Sequence, residues 1–282
     1  LTAAAAIESA ARRLSAAGIE DARREARLLL AQATGWDRVA IIAHPERELA
    51  EGQDASLARL VERRAAREPL SRILGWREFW SLRFALGPDT LDPRPDSETL
   101  VSAALEFTAH NRSLSVLDLG TGSGCLLLAF LSEAKEARGL GIDLSHGALA
   151  VAEANARDLG LAGRAQFRQG DWGRGLEARF DLILCNPPYI PAGDITGLAP
   201  EVAGFDPLLA LSGGPDGLAA YRRLSDELPR LLSAGGFAIV EIGAGQEVAA
   251  AAILAAGGLK FLGSRSDLSG TPRCLVLQAP AG

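Results

Sequence analysis

The stretch Ser115-Val116-Leu117-Asp118-Leu119-Gly120-Thr121-Gly122-Ser123-Gly124-Cys125 decides how the chain is to be read. Ser115–Leu119 has the character of a short buried strand, and Cys125–Glu133 that of an apolar helix. The alternate glycines between them mark a sharp strand-to-helix turn, where backbone approaches a ligand closely. In a dinucleotide-binding fingerprint the third glycine would fall at position 125. Cys125 stands there instead, and the Gly-x-Gly-x-Gly spacing favours a compact nucleoside over a pyrophosphate-bridged ligand. A tight turn alone also accounts for a glycine cluster, so the neighbouring segments must carry part of the argument.

Downstream the pattern alternates. Strands are expected at 140–144, 165–169, 181–185 and 237–242, and helices at 148–159, 218–232 and 246–256. This alternation predicts an α/β fold, a doubly wound, mostly parallel sheet with helices on both faces. Two last strands, near 259–264 and 274–278, leave little room for a crossover helix and imply an antiparallel finish. Upstream, residues 2–68 read as helices only. Leu14, Leu28, Leu29, Leu30, Leu57, Leu60 and Val61 recur at helical intervals, punctuated by Gly18, Gly35 and Gly52. Arg23, Arg24, Arg63 and Arg64 are expected on solvated helix faces. Phe79, Trp80, Leu82, Phe84 and Leu86 suggest a β-hairpin, and Leu91-Asp92-Pro93-Arg94-Pro95 an extended linker. The expected organisation is a helical bundle over 1–75, a hairpin and linker over 76–96, and an α/β domain over 97–282.

Composition narrows the class. Of 282 residues, 48 % are hydrophobic, which supports a substantial core. No apolar run approaches the roughly 18 residues needed to cross a bilayer, and Glu8, Arg12 and Arg13 break the N-terminal alanine run. A cytoplasmic monomer without membrane association is expected. The net charge of −6 argues against a duplex nucleic-acid grip made mainly through phosphates. Cys125, Cys185 and Cys274 lie far apart in apolar surroundings and read as buried, inert thiols. His44, His110 and His146 show no metal-ligand spacing, so no metal is expected.

The second strand of the α/β region ends at Asp143, 25 residues after Asp118. An acidic residue at this point of a doubly wound sheet hydrogen-bonds ribose hydroxyls; the alternative is a cap for the helix that follows. Asp171-Trp172 follows the third strand, where the carboxylate could accept an adenine amino proton and the indole cover the ring, or both could be ordinary loop residues. The fourth strand ends in Asn186-Pro187-Pro188-Tyr189. These are common turn residues, yet they fall where ligands of open parallel sheets bind. The Asn186 side-chain oxygen and the Pro187 carbonyl together can accept both hydrogens of one NH₂ group, with the Tyr189 ring stacked on the same plane. An amide or aromatic amino nitrogen is a poor nucleophile because its lone pair is delocalised. Two fixed acceptors stabilise the positive character that develops as it attacks and aim its lone pair.

Together, Asp118-Leu119-Gly120-Thr121-Gly122-Ser123-Gly124, the acidic Asp143 and Asn186-Pro187-Pro188-Tyr189 resemble class I S-adenosylmethionine (SAM)-dependent methyltransferases that act on planar nitrogens. Further segments resemble the release-factor glutamine methyltransferases of the PrmC/HemK type. These are Pro69-Leu70-Ser71-Arg72-Ile73-Leu74-Gly75, Glu78-Phe79-Trp80, Pro93-Arg94-Pro95-Asp96-Ser97-Glu98 and Gly213-Gly214-Pro215-Asp216-Gly217-Leu218, with Ser97 where that family often has Thr. The resemblance, which covers nearly the whole chain, implies a protein-(glutamine-N5) methyltransferase. Its partners would be peptide-chain release factors, modified on the glutamine of their Gly-Gly-Gln motif. By position, Gly120, Thr121, Gly122, Ser123, Gly124, Asp143, Asp171, Trp172 and Asn186 would bind SAM. Asn186, Pro187, Pro188 and Tyr189 would hold the glutamine amide, and the helical domain would recognise the factor. A glutamine methyltransferase of a ribosomal protein, or a DNA or RNA base amino-methyltransferase, are the alternative readings.

Overall fold

A computed structural model describes residues 1–108 and 113–281. His110 lies outside the described residues. By contact density the chain divides into two compact units: Leu1–Trp76 with Ala199–Phe205, and Arg77–Leu198 with Asp206–Gly282.

The first unit contains α1 (Ala3–Ala16), α2 (Ala22–Thr34), α3 (Arg38–Ala43), α4 (Gln53–Ala65) and α5 (Leu70–Leu74). Leu14, Leu29, Leu30, Leu57 and Val61 close its core. Gly35 ends α2 and Gly52 precedes α4, both in the left-handed conformation that glycine adopts without steric penalty. One expectation fails here. Arg64 is not on a solvated face: its side chain is 8 % exposed, with Nε 2.6 Å from Glu25 and Nη1 3.1 Å from Glu201. Partner carboxylates from α2 and from the distant 199–205 segment make that burial tolerable. Glu201 also receives Arg67.

In the second unit, β1 (Trp76–Phe79, its first residue in the helical unit) and β2 (Leu82–Ala85) pair as a hairpin. The larger sheet comprises β3 (Ser115–Leu119), β4 (Arg138–Asp143), β5 (Ala165–Gln169), β6 (Phe180–Cys185), β7 (Leu232–Glu241), β8 (Lys260–Ser266) and β9 (Pro272–Gln278), in the order β5-β4-β3-β6-β7-β9-β8. Strands β3 to β7 run parallel, and β9 is antiparallel to both β7 and β8. The helices are α6 (Glu98–Phe107), α7 (Cys125–Glu133), α8 (His146–Asp158), α9 (Pro200–Ala203, in the first unit), α10 (Leu208–Leu211), α11 (Ala219–Leu231) and α12 (Glu247–Ala256).

The expected α/β architecture is therefore present, with departures that include the unanticipated short helices α9 and α10. Helix α6 was not anticipated, although Leu100, Val101, Ala103 and Ala104 form its buried face. Pro95–Ser97 is a 3₁₀ turn rather than extended chain, and proline suits the first position of such a turn because its absent N–H would have no partner there. β7 begins at Leu232, directly after α11, five residues before the expected start, because Leu232 registers against Phe180 ahead of an irregularity in the pairing. The strand order reverses between β3 and β6, and ligands of open α/β sheets bind at such a switch point.

Candidate active site

At the carboxyl ends of β3, β4 and β6 lies a cavity of about 380 Å³. Its floor is the glycine turn. The N–H groups of Gly120 and Thr121 both donate to the Ile142 carbonyl at 2.9 Å, which locks the turn against β4. Gly120 and Gly122 have φ of 74° and 56°, values that side chains with a Cβ rarely adopt. Thr121 Oγ1 donates to Asp118 Oδ2 at 2.6 Å. Burial pushes the Asp118 carboxyl up to about 7, against the Thr121 hydrogen bond and with help from the nearby charge of Asp143.

Asp143 ends β4 with both oxygens engaged by backbone. Oδ2 accepts from the Gly122 N–H at 2.8 Å and Oδ1 from the Ser145 N–H at 2.9 Å. The cap of α8 is Ser145, whose hydroxyl accepts from the Ala148 N–H. Asp143 is thus tied to the glycine turn and lines the cavity, with lone pairs in hand on each oxygen. Trp172 also lines the cavity and holds a left-handed φ of 52°. Asp171 does not line it; its carboxylate lies 3.7 Å from Arg223.

Asn186, Pro187 and Pro188 form the opposite wall. The Asn186 amide nitrogen donates to Ser97 Oγ at 3.3 Å. Tyr189 is not in the lining; its hydroxyl donates to Glu241 Oε1 at 3.3 Å. Burial, reinforced by the Glu241 charge, holds the Tyr189 phenol well above its usual range, so it stays protonated. The segment that follows is held by its own frame. Gln246 Nε2 donates to the Tyr189 carbonyl at 2.9 Å and to the Gly217 carbonyl at 3.3 Å. The Ile190 N–H donates to Leu211, and the Gly213 N–H returns a bond to the Ile190 carbonyl.

The structure thus brings Gly120, Thr121, Gly122, Ser123, Asp143, Trp172, Asn186, Pro187 and Pro188 to one cavity, and leaves Gly124, Asp171 and Tyr189 out of its lining. Gly124 serves packing: a Cβ there would meet Ala152 Cβ at 3.2 Å. Arg94, Ser97, Cys125 and Leu209 also line the cavity; sequence reasoning assigned none of them a site role, although Arg94 and Ser97 stand in a segment that carries the family resemblance. Arg94 bonds the buried carboxylate of Asp206 at 2.5 Å, joining two lining segments far apart in sequence. The expectation for Cys125 needs correction, since it is half-buried and lines the cavity, though burial pushes its thiol up to about 12. Cys185 and Cys274 are buried. Among the described residues no cluster of His, Cys, Asp and Glu is placed to hold a metal ion, and no helix is long and apolar enough to cross a membrane.

A glycine turn, an acidic second strand and a polar loop at the switch point of this sheet define a methyltransferase, and residues 110–255 match the family model described as a methyltransferase domain. A solved ribosomal protein methylase from Lactobacillus delbrueckii subsp. bulgaricus shares the fold, with a TM-score of 0.50 and 22 % identity over 69 % of this chain and 84 % of its own. Residues 5–75 match the model of the PrmC N-terminal domain. A release factor glutamine methyltransferase of Rhodospirillum rubrum is 48 % identical over 98 % of this chain and 84 % of its own length. That of Cereibacter sphaeroides is 44 % identical over 100 % of both. The chain belongs to the release factor glutamine methyltransferase family.

Proposed function

We propose that this chain transfers a methyl group from SAM to the side-chain amide nitrogen of the glutamine in the Gly-Gly-Gln motif of peptide-chain release factors, giving N5-methylglutamine. The observation that carries the reading is that the glycine turn, Asp143 and Asn186-Pro187-Pro188 face a single cavity. Its volume is in the range of small-molecule sites. The residues fit the cofactor: the turn admits backbone contact, and Asp143 offers acceptors to a ribose diol. Trp172 offers a flat apolar face to an adenine. When bound, SAM supplies an electrophilic methyl group.

The chain's own contribution is orientation and electrostatics. Asn186 Oδ1 and the Pro187 carbonyl accept the two amide hydrogens of the substrate, pointing the nitrogen lone pair into the cavity. As positive character grows on that nitrogen, these acceptors bind it more tightly than they bind the resting amide, which lowers the barrier. No side chain need remove a proton before attack, since the hydrogen becomes acidic only as the new N–C bond forms. The helical unit supplies a second contact surface for the factor, because a Gly-Gly-Gln tip offers few side-chain contacts of its own. The direct test is incubation of the protein and SAM with release factors and, separately, ribosomal proteins, followed by mass mapping of the modified residue. Methyl groups on the Gly-Gly-Gln glutamine support the reading; methylation confined to another residue or to the ribosomal proteins overturns it.

A further inference from the structure

The cavity carries its charges unevenly along the sheet. Asp143 ends β4, and the Asp89 carboxylate packs so close to Gly147, at the start of the next helix α8, that a Cβ there would collide with it. Both acidic side chains of this end line the cavity. Arg94 is the one cationic side chain among the described residues of the lining. It stands just upstream of Ser97, whose Oγ accepts from Asn186 Nδ2 at 3.3 Å past the end of β6. The positive charge therefore belongs to the Asn186 side.

Arg94 is held from behind. Its Nη2 donates to Asp206 Oδ2 at 2.5 Å, and Asp206 Oδ1 accepts from the Asp92 N–H at 3.4 Å, so one carboxylate fixes both the guanidinium and the backbone that bears it. The Asp206 side chain is 1 % exposed, whereas that of Arg94 is 33 % exposed. A guanidinium carries five N–H donors in a planar fork. The contact with Asp206 thus leaves donors for a second anion, and the fork suits a carboxylate.

SAM joins its parts in a fixed covalent order: adenine, ribose, sulfonium and an amino-acid tail. The sheet order β5-β4-β3-β6 gives these parts their places. Trp172, after β5, covers the adenine and Asp143, after β4, takes the ribose. The sulfonium then falls toward β3 and β6, where Asn186 holds the receiving amide. The tail leaves from the same sulfur and stays on that side. Its carboxylate is the sole anionic group of the cofactor. At the β4 end it would meet Asp89 and Asp143 as like charges, which disfavours it.

We propose that Arg94 binds the carboxylate of the cofactor's amino-acid tail, with Asp206 as the positioning residue that fixes its guanidinium. The inference rests on the reading of this cavity as the SAM site. Asp206 also offsets the repulsion that a lone guanidinium would exert on a sulfonium close by.

The test is calorimetry on the full chain with S-adenosylhomocysteine, its decarboxylated analogue and methylthioadenosine, which lacks the whole tail. The wild-type protein should prefer S-adenosylhomocysteine to the decarboxylated analogue by about 10- to 100-fold, the range for hydrogen bonds to a charged group. Arg94→Gln should weaken S-adenosylhomocysteine by the same factor and leave the other two ligands unchanged, so that the preference disappears. A merely structural role for Arg94 would weaken all three alike. Should Arg94→Gln not fold, Arg94→Gln/Asp206→Asn, which leaves no unpaired buried charge, is compared in the same way. Equal losses on the three ligands, or a carboxylate preference that survives the substitution, would overturn the assignment. A raised KM for release factor with unchanged S-adenosylhomocysteine affinity would overturn it too, and move Arg94 to the protein substrate. If the wild-type protein binds none of the three, the reading of the cavity as a SAM site fails; binding with the preference intact in Arg94→Gln removes only the role of Arg94.

Discussion

Gly217→Ala offers a sharp test of how the catalytic loop is held. Gly217 has φ of 75°, and a Cβ built there would stand 2.5 Å from the Tyr189 carbonyl oxygen and 2.7 Å from Gln246 Nε2. Carbon–oxygen contacts settle near ~3.3 Å, so the Tyr189 carbonyl must retreat by roughly 0.8 Å. Left-handed backbone disfavours alanine by about 1–2 kcal/mol. The Gln246 bonds to Tyr189 and Gly217 contribute about 1 kcal/mol each. Destabilisation of about 3 kcal/mol follows, together with a loop displaced from Asn186 onward. A misplacement of about 1 Å at reacting groups can lower rate about 100-fold. The assay is a thermal melt alongside single-turnover methylation of release factor, with Gly235→Ala as control. Gly235 has φ of 72° and nothing within 4 Å of its virtual Cβ, so that variant carries the backbone strain without the collision and should keep wild-type activity. A folded Gly217→Ala enzyme that methylates as fast as the control would refute the argument that this glycine backs the loop.

Other outcomes are expected. Asp143→Ala removes acceptors for the ribose diol and loosens the Gly122 N–H, so SAM affinity by calorimetry should fall by about 1–3 kcal/mol; unchanged affinity would remove Asp143 from the site. Asp118 is held protonated by the fold to about 7, above its value of 3.8 in open chain. Its contribution to stability is therefore full below about 4 and is lost as pH rises through about 7. Asp118→Asn, which cannot ionise, should gain melting temperature relative to wild type as pH rises from acid to slightly alkaline, and a difference independent of pH would contradict this. Deleting residues 1–75 should raise KM for intact factor while leaving methylation of a short Gly-Gly-Gln peptide little changed, once circular dichroism shows the remainder folded; equal losses on both would assign the helical unit a structural part only.

The amino-acid sequence by itself determined the alternation of strands and helices from Ser115 to Gln278, the helical start, the antiparallel finish and the positions of the glycine turn, Asp143 and Asn186. These are local signals: periodicity of apolar side chains, glycine at sharp turns, and polar residues just past apolar runs. Helix α6 escaped although its apolar face is visible in retrospect. The hairpin turn could be located but not described, because Trp80 and Ser81 adopt positive φ where glycine or asparagine would have announced it. Tertiary structure alone decided what depends on contacts between distant residues. It buried Arg64 by bringing Glu25 and Glu201 to it, and joined Arg94 to Asp206 over a gap of 112 residues. It also set Ser97 against Asn186 and Glu241 against Tyr189. A lone arginine, serine or glutamate has no periodicity to betray its partner, and burial of a charge becomes tolerable only once the fold has delivered the group that compensates it.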